Sequence, residues 1–239
     1  MTAIAVAAVL AGAVASVSGF GIGSLLTPVL VLSLPMPTAD AVAVLAVPHA
    51  LATAIRWVRL RRDVHRPTFR EFGVASAAGG LAGAALQSRL SSPVLTVVLA
   101  ALLVLAGTTE LLRRRIPLPR TPTWRLAGGA LSGMFGGLVG NQGGIRSAAL
   151  MGFDLPKEAF VATATAVALV VDGARMPVYV WTEWRALLGA WPEIVAATAG
   201  VLVGTFAGVR VLRRIPEAVF RPSVSILITA LGVYMLWHR

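Results

Sequence analysis

Gly136-Gly-Leu-Val-Gly-Asn-Gln-Gly-Gly144 decides how this chain is read. It places five glycines within nine residues, inside the apolar run Leu126–Phe153. Glycine costs a helix about 1 kcal/mol per residue against alanine, so a cluster of them unwinds it. Unwound backbone in hydrocarbon needs internal hydrogen-bond partners or a watered cavity. A second such cluster, Ser18-Gly-Phe-Gly-Ile-Gly-Ser24, interrupts the apolar run Ala3–Leu34. Each interruption frees N–H groups at the start of the next half-helix. Those groups and the helix dipole favour an anion. Close helix crossing is the competing use of such glycines.

The rest of the composition sets the environment. Of 239 residues, 57% are hydrophobic and 13% charged, against roughly 45–50% and about 25% in a soluble domain. Mean hydropathy is +0.81. Disordered, collagen-like and nearly all soluble enzymatic classes are excluded, and an all-α polytopic membrane protein is expected. Apolar runs able to cross a bilayer are Ala3–Leu34, Thr38–Val58, Phe72–Leu90, Pro93–Leu112, Leu126–Phe153, Pro156–Val180, Leu187–Val209 and Pro216–Trp237. The first run has no basic residue before it and is too long for a signal peptide, so it is read as retained. Asp154 is expected to cap the helix starting near Pro156. Trp57, Trp124, Trp181, Trp184, Trp191 and Trp237 fall near span ends, as interfacial anchors do.

The chain repeats itself at an offset of 119 residues. Gly21-Ile-Gly-Ser-Leu-Leu-Thr-Pro28 lies over Gly140-Asn-Gln-Gly-Gly-Ile-Arg-Ser147, and Pro37–Ala43 lies over Pro156–Ala162. Arg56 lies over Arg175. This gives a first membrane repeat over 1–112, a basic cytoplasmic linker over 113–124 and a second repeat over 125–239. Each repeat is a Gly-broken long or re-entrant segment plus three transmembrane helices. Such halves mark secondary transporters. The spacings Gly79/Gly83 and Gly200/Gly204/Gly208 read as close-packing faces.

Loop charge bears on orientation. Net charge is +11, from 21 Lys/Arg and 10 Asp/Glu. The basic residues sit in short loops, where lipid is the partner and nucleic acid is not expected. If each long segment crosses once, with the N-terminus inside, the split is 13 inside and 6 outside. If each forms a re-entrant hairpin, 16 share one face and only Arg89, Arg185 and Arg239 lie opposite. The positive-inside rule prefers the second reading, with inverted repeats and both termini outside. Length fits it as well: Ala3–Leu34 as one helix would run about 48 Å, beyond a hydrocarbon core of about 30 Å unless strongly tilted.

The expected substrate-binding set is Gly21, Gly23, Ser24, Thr27, Gly140, Asn141, Gln142, Gly143, Gly144, Arg146 and Arg175. Asn141 and Gln142 offer amide donors. Arg146, in an apolar run, needs an anion, a partner or water. Asp172 and Arg175 share a helix face. They read either as a self-satisfied ion pair or as a proton-coupled carboxylate beside a substrate arginine. His49, mid-span, reads as a proton shuttle or as a hydrogen-bonded packing residue. Asp172 and His49 are thus the proton-coupling candidates. Arg56, near a basic loop, is explained equally well by snorkelling.

No enzyme constellation is visible. Cysteine is absent, and His49, His65 and His238 lie on separate segments without metal-ligand spacing. No Gly-Lys-Ser/Thr phosphate loop occurs. No catalytic residue, metal or cofactor is expected.

The pattern resembles the TauE/SafE family of sulfite-exporter-like permeases over nearly the whole chain. Its carriers are Gly19-Phe-Gly-Ile-Gly-Ser-Leu-Leu-Thr-Pro28 with Leu34–Val42, and Gly137-Leu-Val-Gly-Asn-Gln-Gly-Gly144 with Asp154–Val161. The family pattern is usually richer in glycine; here Ser24 and Asn141-Gln142 replace some of it, and Ser147 stands where proline is common. The resemblance implies movement of sulfite, sulfoacetate or related small acids, mostly outward, across the cell membrane. The alternative is a channel, or a scaffold that partners another protein. A homo-oligomer is compatible with either.

Overall fold

The computed structural model describes residues 2–18, 22–34, 36–112, 121–208, 210 and 214–238. Among these, all regular structure is helical. In chain order the helices are α1 (Thr2–Ser18), α2 (Ile22–Ser33), α3 (Thr38–Leu60), α4 (Arg66–Gln87) and α5 (Ser92–Leu111). Then come α6 (Pro122–Val139), α7 (Gly143–Leu150) with a 3-10 turn Met151–Phe153, and α8 (Lys157–Thr182). The last are α9 (Trp184–Gly189), α10 (Trp191–Val203) running into a π-helical turn Gly204–Gly208, and α11 (Glu217–Trp237). Helix starts follow local chemistry. Thr121 accepts from the Trp124 amide and His65 from the Thr68 amide, and a proline opens each of these helices.

The expected apolar runs are helical over their described residues, with physical corrections. The second long run is divided, and the described residues of the first fall in two helices. α1 stops at Ser18 and α2 starts at Ile22, while α6 stops at Val139 and α7 starts at Gly143. Leu187–Val209 is also divided, at Ala190. α4 begins at Arg66 rather than Phe72, because hydropathy marks the hydrocarbon-compatible part and misses the polar first turns holding Arg66, Arg70 and Glu71. The capping role expected of Asp154 is not what the structure has. The α8 N-cap is Pro156 without a side-chain cap bond, and Asp154 ends the 3-10 turn with φ of 49°.

Packing pairs the helices across the two halves. α4 and α6 run parallel in close contact: a Cβ on Gly79 would strike the Ala130 carbonyl, and one on Gly83 the Met134 carbonyl. α1 and α10 pack the same way, with Gly200 and Gly204 against Ala5 to Val9. The close-packing role expected of these glycines is therefore realised. α3 and α8 run antiparallel. Val42 and Ala46 cluster with Met176 and Tyr179, and further along His49 meets Asp172. At the far end burial and the adjacent Asp40 carboxyl push the Glu183 carboxyl up. α5 and α11 are antiparallel too, with Gly107 on Ile228, Gly232 on Leu103, and Glu110 paired to Arg221 at 3.1 Å.

Among the described residues, four helices are long and apolar enough to cross a membrane. In α3 and α8, 56% of the span is buried inside the protein; in α5 and α11 only 28% and 33%. The first pair is thus central, and the second turns apolar side chains outward, as lipid-facing helices do. Trp181 and Trp237, at helix ends, are 86% and 83% exposed.

The α4–α6 contact gives a direct test. Gly83→Leu forces side-chain atoms into the α6 backbone and should destabilise the protein by about 1–3 kcal/mol or more. Gly173→Ala in α8, with nothing within 4 Å of the added carbon, should leave the melting temperature unchanged or raise it. Thermal unfolding of the purified variants checks both.

Candidate functional site

The site begins with the end of α6. Gly140 takes φ of +70°, a conformation that favours glycine, and closes the helix as a left-handed cap. The chain then reverses. Ser132 Oγ donates to the Gln142 carbonyl, a Cβ on Gly128 would meet Ala149, and Arg125 donates to the Gly152 carbonyl. α6 and α7 therefore form a tight helical hairpin.

At the end of α6 the Gly140 amide still donates to the Gly136 carbonyl, at 3.1 Å, and three side chains from elsewhere also serve the last carbonyls. Arg175 Nη1 donates to the Gly136 carbonyl at 2.6 Å. The Tyr179 hydroxyl donates to the Gly137 carbonyl. Gln87 Nε2 donates to the Leu138 carbonyl at 3.1 Å. Arg175 is itself held by Asp172, whose Oδ1 accepts from Nε at 3.1 Å and Nη2 at 2.8 Å. Asp172 Oδ2 lies 2.7 Å from His49 Nδ1. His49, Asp172 and Arg175 are 6%, 1% and 2% exposed. The three thus form one buried chain ending on the interruption. In this arrangement Arg175 spends its Nε, Nη1 and Nη2 within the protein.

The start of α2 meets the turn at Gly140 and Asn141. A Cβ on Gly23 would strike the Gly140 carbonyl, so only glycine allows this approach. Ser24 Oγ donates to Asn141 Oδ1 at 3.0 Å. Thr27 Oγ1 sits 3.8 Å from where a Gly140 Cβ would stand. Gln142 packs on Gly136, and Gly143 is buried at the start of α7. The first amides of α7, Gly143 to Ile145, have no intrahelical acceptor by helix geometry.

Several buried polar atoms of α2, of the turn before α7 and of α7 itself lack partners. They are Thr27 Oγ1, Gln142 Nε2 and Oε1, and Arg146 Nε and Nη1. Thr27 is 1%, Gln142 3% and Arg146 9% exposed. Arg56 Nε is likewise buried without a partner, and Arg56 Nη2 reaches only Thr53 Oγ1, at 3.3 Å. Arg146 and Arg56 lie within range of each other's field and of Asp172.

Of the expected set, Gly23, Ser24, Thr27, Gly140, Asn141 and Gln142 come together where the chains meet, with Gly143 and Arg146 on the first turns of α7. Arg175 stands behind them on the backbone. Gly144 is exposed, and its nearest neighbour is Ala106 of α5. Gly21 lies outside the described residues. The sequence reading missed Tyr179, Gln87 and Ser132. Tyr179 carried a signal, since it lies one helical turn beyond Arg175 on the same face; Gln87 and Ser132 carried none.

A buried, partly unpaired polar cluster enclosed by apolar, bilayer-length helices defines a multi-pass membrane permease. Residues 4–235 match the family described as sulfite exporter TauE/SafE, and the chain belongs to that family. Neither the curated proteins nor the solved structures hold a match to it.

The capping of α6 makes the interruption sensitive to single atoms. Tyr179→Phe removes one hydroxyl and leaves the Gly137 carbonyl buried and unpaired, a loss of about 1–3 kcal/mol. Asp172→Asn strips the countercharge from Arg175 and should cost more, about 3–5 kcal/mol. Melting temperatures in detergent, ranked wild type above Tyr179→Phe above Asp172→Asn, are the expected readout.

Proposed function

We propose that this protein is a secondary transporter of the cell membrane that exports a small anion, such as sulfite, an organosulfonate or an organic acid. The anion binds where the two glycine breaks meet, near the membrane midplane. The observation that carries this reading is the set of buried, unpartnered donors on both sides of the meeting point: Thr27 from the first half, Gln142 and Arg146 from the second. Buried polar groups are normally paired, and an oxyanion would satisfy all of these at once. The α7 amides add a partial positive charge from the same direction. Ser24 and Asn141 brace the two breaks, and Gly23, Gly140 and Gly143 keep the backbone accessible.

The halves are read as inverted repeats. At the offset of 119, α3 corresponds to α8 and α5 to α11. Each of these pairs is antiparallel, which supports inversion. The α6–α7 hairpin supports the re-entrant reading, and so the orientation with both termini outside and residues 113–124 cytoplasmic. Inverted halves rocking about a shared site give alternating access. Arg175 serves here as a positioning residue for the second break, and Asp172 with His49 supplies a route for proton coupling.

In liposomes, sulfite efflux should be saturable and competable. Arg146→Ala or Gln142→Ala should lower it on the order of tenfold or more without loss of insertion. Normal flux through Arg146→Ala overturns the site. Flux that never saturates supports a channel instead. Labelling of Asp63→Cys and Gly152→Cys from the same face supports the hairpins; labelling from opposite faces supports single crossings.

A further inference from the structure

We infer that the anion this protein takes still carries a proton: the site selects a singly charged oxyanion with one O–H, such as hydrogensulfite, and Gln142 reads that proton. This rests on the anion-site reading above and chooses among its substrates.

Donors and acceptors on the first turn of α7 do not balance within the protein. The Gln142 carbonyl accepts from the Arg146 amide at 3.0 Å. That helical bond sets the two side chains one turn apart on the same face. Gln142 is 3% and Arg146 9% exposed. Arg146 Nε and Nη1 have no partner, and neither does either end of the Gln142 amide, Nε2 or Oε1. Arginine can only donate, whereas an amide both donates and accepts. A fully deprotonated oxyanion offers acceptors alone. It serves Arg146 and Gln142 Nε2, and leaves Gln142 Oε1 buried and unpaired, which is costly. An oxyanion with one hydroxyl sets an O–H beside a charged oxygen. The hydroxyl donates to Gln142 Oε1 while its neighbour accepts from Nε2, and a further oxygen is left for Arg146. Its single negative charge balances the single charge of that guanidinium.

The surroundings hold the amide in place. A Cβ on Gly136 would stand 3.1 Å from Gln142 Cβ, 3.2 Å from Cδ and 3.3 Å from Oε1, so the side chain packs against the glycine face of α6. The backbone beside it is tied as well: Ser132 donates to the Gln142 carbonyl at 3.4 Å, and Ser24 to Asn141 Oδ1 at 3.0 Å. Turning the amide over changes nothing, because both of its ends lack partners.

The test uses the full chain purified in detergent, at constant ionic strength and mildly acidic pH. Methylphosphonate and methanesulfonate are then monoanions of nearly the same shape, and only the phosphonate carries a hydroxyl. The readout is thermal stabilisation, since a ligand of the native state raises its melting temperature. The wild type should saturate with methylphosphonate at concentrations about tenfold or more below those needed for methanesulfonate. Gln142→Met should abolish that preference by weakening methylphosphonate while largely sparing methanesulfonate, a split that a general loss of fold would not produce. Arg146→Gln should weaken both. Equal affinity for the two anions in the wild type overturns the inference and leaves a plain anion site standing; this arm needs no variant. A preference that survives in Gln142→Met also overturns it, because the proton is then read elsewhere. If neither anion, nor sulfite, stabilises the wild type, the anion-site reading fails first and this inference with it.

Discussion

Everything near the site depends on how the end of α6 is satisfied. A helix that stops inside an apolar protein leaves carbonyls that lipid cannot serve and the following turn serves only in part, here at Phe135 and Gly136. Here Arg175, Tyr179 and Gln87, from two other helices, donate to three successive carbonyls, Gly136 to Leu138. A cation at a helix C-terminus also complements the dipole. Asp172 and His49 hold that cation in place. The buried ion pair is thus best understood as part of the backbone's hydrogen bonding. Removing one partner would leave both a charge and a carbonyl exposed to an apolar interior.

With that end fixed, glycine sets the distances. Gly140 allows the left-handed turn, and Gly23 allows the first half to approach its carbonyl. The same economy of side chain lets α4 lie on α6 and α10 on α1. These parallel contacts hold α6 against a helix of the first half and α1 against a helix of the second. Thr27 of α2, Gln142 and Arg146 keep buried side-chain atoms without partners.

Much of this was legible in the sequence because it follows from composition and spacing. The membrane class followed from hydropathy, and clustered glycines pointed to the turn after Val139. The Asp172–Arg175 pair followed from helical spacing. What could not be read is long-range partnership. Nothing local tells that His49 meets Asp172 across 123 positions, or that Gln87 reaches the Leu138 carbonyl. For Arg56 the sequence left snorkelling and a site role open, and it gave no sign that its Nε is buried. Asp154 failed as a cap because a proline at the α8 N-cap set the chain's approach instead. The early start of α4 escaped because polar first turns are helical without being apolar.

The central claim is that an anion occupies the junction of the two interruptions. The chain has no cysteine of its own, so a single Thr27→Cys variant reports on that junction alone, and Ser88→Cys in the exposed α4–α5 turn serves as control. The rate of thiol modification by a small methanethiosulfonate reagent would be measured with and without sulfate or methanesulfonate. The account predicts slower, saturable modification at Thr27→Cys in the presence of at least one of these anions, and no change at Ser88→Cys. Modification of Thr27→Cys at the same rate with and without both anions would contradict it.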